Sequence, residues 1–119
     1  MEPALMLKTA TVLIAITAVG GAAQAGMRFS GAPHPPAWLA MLHGLLAAAG
    51  LTLLIYAAVT LAVPATAQYA IGCFVVAALG GALMNLRYHW KNLPLPIPLM
   101  LGHAVLAAIG LVLLWMAAF

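Results

Sequence analysis

Two imidazoles, His43 and His103, lie a few residues inside hydrophobic runs and in nearly the same local wording. Residues 36–58 read PAWLAMLHGLLAAAGLTLLIYAA, and residues 96–118 read PIPLMLGHAVLAAIGLVLLWMAA. At a shift of sixty positions Pro36, Leu39, His43, Leu46, Ala47, Gly50, Leu51, Leu54 and Ala57 each meet an identical residue. Leu and Ala coincide readily in apolar chains, so the repeated Pro, His and Gly carry the argument. An ionisable ring inside hydrocarbon is costly and marks function by default. Neutral imidazole is also a metal ligand, and two such rings on facing helices are what the two axial positions of a single b-type haem require.

The elements that must hold these rings follow from composition. Hydrophobic residues make up 67% of the 119, against four Lys and Arg and a single acid, which excludes a soluble domain. The net charge of +3 belongs to membrane-facing loops and is no footprint for nucleic acid. Cys73 is the only cysteine, so neither a disulfide framework, nor a CxxC redox pair, nor covalent haem attachment through CxxCH can form within the chain.

In chain order, the first apolar run is Thr9 to Met27, long enough for a transmembrane helix. Lys8, the run after it and Ala23-Gln24-Ala25 also read as a secretory signal with a cleavage site. However, Ala18, Gly20, Gly21 and Ala22 recur at Ala78, Gly80, Gly81 and Ala82, so the segment belongs to the repeat and is expected to be retained. Ser30 to Pro36 is a Pro- and Gly-rich connector. A second helix is expected from about Ala37 to Val63, a turn from Pro64 to Gln68, and a third helix from about Tyr69 to Arg87. A second connector, Asn92 to Pro98, precedes a fourth helix from about Pro98 to Ala118.

The expected fold is therefore all-α: one integral membrane domain over 1–119, a four-transmembrane-helix bundle of two tandem hairpins, about 9–63 and about 67–118. Two crossings per repeat give both copies the same orientation, with a pseudo-twofold axis along the membrane normal. Arg28, Arg87 and Lys91 lie at one face and Lys8 at the other, so the positive-inside rule places the connectors in the cytoplasm and both termini outside.

Depth brings the pieces together. His43 and His103 each lie seven residues beyond a proline, about 10 Å along the helix from the basic side. Gly20 and Gly21, before Arg28, and Gly80 and Gly81, before Arg87, fall at the same level. Gly50 and Gly110 share a helical stripe with the respective histidines. Two imidazoles are thus expected to face each other across a gap walled by residues without side chains. A flat macrocycle would need that gap, and Arg28, Arg87 and Lys91 would meet its propionates.

Small residues at this spacing are also the ordinary means by which membrane helices approach closely, with histidines bonding across the seam as glue worth roughly 1 kcal/mol. Other ligands stay open: a chlorophyll magnesium with one His per pigment, or copper held by His with Met41 or Met100. Thr52 and Asn85 offer further polar groups. His34 and His89 have no partners under the repeat, which points to solvated or headgroup-facing roles and lends no support to a second haem.

The residues Leu93-Pro94, Pro96, Leu99, His103-Ala104, Ala107, Gly110 and Leu114, with Gly80-Gly81 and Arg87, resemble the pattern of a group of short bacterial four-helix membrane proteins. That resemblance covers the second half of the chain and implies a bacterial inner-membrane location and no particular activity. In architecture the chain is similar to four-helix membrane b-type cytochromes, departing from their two-haem pattern in having one symmetric His pair. A small multidrug exporter is disfavoured, because proton coupling there needs a membrane-embedded carboxylate and the only acid is Glu2. The expected function is electron carriage by one bis-His haem b, exchanging with a quinone or a partner cofactor, with no catalytic acid, base or nucleophile. The alternative is a non-catalytic accessory subunit. Either form, with so much lipid-facing surface, is expected to form a homo-oligomer or to join a larger membrane complex.

Overall fold

The computed structural model describes residues 2–119 and is built of four helices: α1 (Pro3–Phe29), α2 (Ala37–Thr60), α3 (Ala65–Leu83) and α4 (Ile97–Ala118). A single π-helical segment, Met84–His89, follows α3 without a break. Each of the four spans is long and apolar enough to cross a membrane. The molecule measures 43 × 23 × 21 Å, so its long axis exceeds the roughly 30 Å of a hydrocarbon core.

Proline sets most of the helix limits. Pro3 takes the first position of α1, where its missing N–H costs nothing, so this helix starts six residues before the expected Thr9. Pro64 disfavours helix in the residue before it, and α2 stops at Thr60, with Leu61 extended at φ −135°, rather than running on to Val63. The same proline caps α3, so Ala65 to Gln68 form its first turn instead of a loop. No acidic side chain or hydroxyl caps any helix among the described residues, as suits ends at a membrane surface.

Successive helices are antiparallel neighbours: α1 packs along α2 and α3 along α4, and the hairpins meet mainly through α1 and α4, more sparingly through α2 and α3. The pairs α1/α3 and α2/α4 are therefore diagonal. Both connectors lie at one end, where Leu95 N–H donates to Pro33 O at 3.0 Å and Arg28 Nε donates to Leu95 O at 3.0 Å. The termini meet at the other end, with Lys8 Nζ 5.4 Å from the centre of the Phe119 ring.

The core is in two parts. Near the termini, Met6, Leu7, Ala10 and Ile14 pack with Leu54, Ala57, Phe74 and Leu114; near the connectors, Met84, Leu95 and Met100 form a smaller cluster. The histidine layer lies between them. Large apolar side chains such as Val19, Val59 and Leu79 stand on the outside, the reverse of a water-soluble surface and the proper one for lipid.

Burial repeats with the sequence. Ile14, Thr17, Gly50 and Leu54 are buried, and so are Phe74, Ala77, Gly110 and Leu114, sixty positions on; His43 and His103 are both half-buried.

Candidate functional site

His43 projects from α2 and His103 from α4, the diagonal helices, and their ring centres are 6.2 Å apart with the planes inclined at 59°. Each ring leans on the helix it is joined to in its own hairpin. His43 Nδ1 lies 2.9 Å from Thr17 O and His103 Nδ1 lies 2.7 Å from Ala77 O. The acceptors, like the rings, are sixty residues apart, so one local arrangement occurs twice.

A carbonyl only accepts, so each Nδ1 carries the proton and donates. In a neutral ring held this way, Nε2 is the nitrogen with the free lone pair. Neither Nε2 has a hydrogen-bond partner among the described residues, and no buried side-chain nitrogen or oxygen there is left unpartnered, so both Nε2 atoms are accessible. A ring N–H fixed on a backbone carbonyl is the usual support of a ligating histidine, holding tautomer and orientation and raising basicity.

Glycine allows this approach. A Cβ on Gly21 would fall 2.9 Å from His43 Cε1, and one on Gly81 would fall 3.3 Å from His103 Cε1; Gly20 and Gly80 stand at 3.9 and 4.0 Å from the respective Nδ1 atoms. The four glycines lie at the level expected of them and serve as seats for the imidazole edges. Gly50 and Gly110 depart from the expectation. Their open sides are filled by Ile14, 2.8 Å from a built Cβ, and by Phe74, at 2.7 Å, so they close the hairpins on the terminal side and do not wall the histidine gap. Small residues on a stripe signal close approach, but the residue that approaches belongs to another helix.

A cavity of about 280 Å³ adjoins both rings. Ala18, Gly21, Ala22 and Ala25 of α1 and Met100, Ala104 and Ala107 of α4 line it. It is apolar apart from the imidazoles, and it lies on the α1/α4 side. Met100 reaches it, whereas Met41 is 61% exposed on the outside of α2, so only the first of the two methionines is placed near a metal on the histidines.

Of the expected counter-charges, Arg28 is half-buried and commits Nε to Leu95 O, while Arg87 and Lys91 are exposed at the same end. Thr52 is exposed and Asn85 half-buried, and neither side chain makes a hydrogen bond among the described residues. Cys73 is a half-buried free thiol.

His34 and His89, which the repeat leaves unpaired, come together: their ring centres are 4.5 Å apart at 30°. Trp90 N–H bonds to Asn85 O, five residues back, and His89 at the end of this π-helical segment lies beside the first connector.

Comparison with protein-family models, with curated proteins and with solved structures finds no match.

Proposed function

We propose that the chain is a membrane haem protein that carries electrons, with Nε2 of His43 and of His103 as the axial ligands of one haem b. One observation carries the reading: two imidazoles with Nδ1–H held on backbone carbonyls and Nε2 bare, their centres 6.2 Å apart. Two metal–nitrogen bonds of about 2.0 Å on opposite sides of one ion put the ring centres roughly 6 Å apart. The donor set thus fits. The volume falls short: about 280 Å³ is below the roughly 300–1,000 Å³ of ligand pockets, so a macrocycle would have to part α1 from α4, where only small side chains meet.

Bound there, haem supplies one-electron redox chemistry. The chain's own contribution is to orient both imidazoles, to exclude water with the alanines of α1 and α4, and to offer Arg28, Arg87 and Lys91 to propionates at the connector end. With His43 and His103 both holding it, the group would exchange electrons with a quinone or a partner's redox centre and would bind no substrate. The two hairpins are related by a pseudo-twofold axis along the membrane normal. The connectors face the cytoplasm and both termini the outside of a bacterial inner membrane, and the chain works as a homo-oligomer or within a larger complex.

The accessory-subunit reading has its own support, since each Nδ1 bond ties two helices of a hairpin as glue would. It gives no reason for two imidazoles with unpartnered Nε2 atoms to border one cavity. The deciding experiment is a visible absorption spectrum of protein purified from haem-sufficient cells. A Soret band with sharp reduced b-type peaks is expected; a colourless protein overturns the haem reading, and a chlorophyll or copper spectrum replaces it.

A further inference from the structure

We propose that His34 and His89 form a second, separate metal site, which takes one divalent transition-metal ion of the kind that favours imidazole, Cu²⁺ foremost, at the connector end of the bundle. The inference does not depend on the haem reading.

Spacing separates the two histidine pairs. With metal–nitrogen bonds of about 2.0 Å, two imidazoles at right angles on one ion have ring centres roughly 4.5 Å apart, and opposed ones roughly 6 Å. His34 and His89 stand at 4.5 Å, too close to bracket a macrocycle and right for adjacent positions on a bare ion. Their planes are inclined at 30°.

The nitrogens are available. His34 Nδ1 donates to Pro35 O at 3.3 Å, so that in the neutral ring Nε2 is the nitrogen open to a metal; the His89 ring makes no hydrogen bond among the described residues. Both rings are half-buried, so a metal reaches them from the membrane surface. The site is also built rather than adventitious. Leu95 N–H to Pro33 O, next to His34, and Arg28 Nε to Leu95 O tie the two connectors together, and His89 ends the π-helical segment, a distortion that often marks functional sites.

No third His, Cys, Asp or Glu completes the set among the described residues, so water or backbone carbonyls fill the other positions. Arg28, Arg87 and Lys91 lie at the same end and oppose a dication, which favours the metal with the strongest hold on neutral nitrogen. Copper(II) heads that order, and two cis nitrogens suit its tetragonal geometry.

The test is Cu²⁺ titration of the full chain in nanodiscs, followed by electron paramagnetic resonance, on wild type, His34→Asn, His89→Asn and the His43→Asn/His103→Asn double variant. One Cu²⁺ per chain with hyperfine splitting from two nitrogens is expected in wild type and in the double variant. Each connector variant should weaken binding at least tenfold and leave one nitrogen. Unchanged affinity in both connector variants overturns the proposal, as does binding that disappears only in the double variant. Should a connector variant fail to insert, the wild-type spectrum still decides, because coupling to a single nitrogen or to none is incompatible with the pair.

Discussion

Gly21 lies against the edge of His43 so closely that a Cβ would stand 2.9 Å from Cε1, inside any normal contact. Gly81 and His103 repeat the relationship at 3.3 Å. The difference makes the two glycines unequal. Replacing a helix-interior Gly by Ala gains about 0.5–1 kcal/mol of backbone entropy. For Gly81→Ala a shift of a few tenths of an ångström relieves the contact, so stability should rise slightly. For Gly21→Ala the ring must move off its seat, and the lost bond to Thr17 O, worth about 1 kcal/mol, cancels the gain. Imidazole ¹⁵N resonances report this directly: the hydrogen-bonded Nδ1–H signal of His43 should vanish in Gly21→Ala while that of His103 stays. Retention of both signals would show that the glycine is not a seat.

Gly50 and Gly110 are tests of packing alone. A Cβ on Gly50 meets Ile14 Cδ1 at 2.8 Å, and one on Gly110 meets Phe74 Cε1 at 2.7 Å with two more ring carbons at 3.0 and 3.1 Å. The end of an isoleucine can swing aside, but a phenyl ring held on three carbons cannot. Gly110→Ala should therefore destabilise by about 1–3 kcal/mol, the usual range for overpacking, and Gly50→Ala by less. Phe74→Leu should relieve the first, and Ile14→Ala, which removes both close carbons, the second. Unfolding in mixed micelles measures both; equal losses without rescue would contradict these contacts.

Much of this was legible beforehand. Four spans follow from composition and punctuation, and the common depth of His43 and His103 follows from their equal distance from Pro36 and Pro96. The carbonyls of Thr17 and Ala77 were not legible, because backbone acceptors leave no mark on residue type. Nor was the role of Gly50, which depends on where Ile14 of another helix falls. The connector pair was hidden for a different reason. Equivalence under the repeat singles out His43 and His103, whereas His34 and His89 meet where α3 ends in a π-helical segment and α1 does not. An i to i+5 ladder has no residue signature comparable to proline at a helix start.

Arg28 supports the connectors through a single bond from Nε to Leu95 O. Lysine keeps the charge but not a donor at that place, so Arg28→Lys isolates the bond from the charge. The Leu95 amide, which donates to Pro33 O, should exchange faster by roughly five- to tenfold, as expected for losing about 1 kcal/mol of local support. Hydrogen exchange over residues 91–96 measures it. Unaltered exchange would mean the connectors hold by their own backbone contacts.

His43 and His103 make no hydrogen bond to one another, and their Nδ1 bonds belong to separate hairpins. This makes a double-mutant cycle decisive. If the rings act only as glue, His43→Ala and His103→Ala each cost roughly 1 kcal/mol, and the double variant costs about the sum, within the 0.3–0.5 kcal/mol scatter typical of independent sites. If one ion bridges the rings, either single variant already forfeits its binding free energy, so the second substitution adds little and the cycle shows coupling well above that scatter. Metal-free and cofactor-free protein should be additive in either case, which supplies the reference. Stabilities measured on protein as purified and after extraction of any bound group should therefore differ in their coupling, with the two Nδ1 bonds intact in both. Additivity in both preparations would leave the bare Nε2 atoms without a shared ligand and remove the basis of the electron-carrier reading.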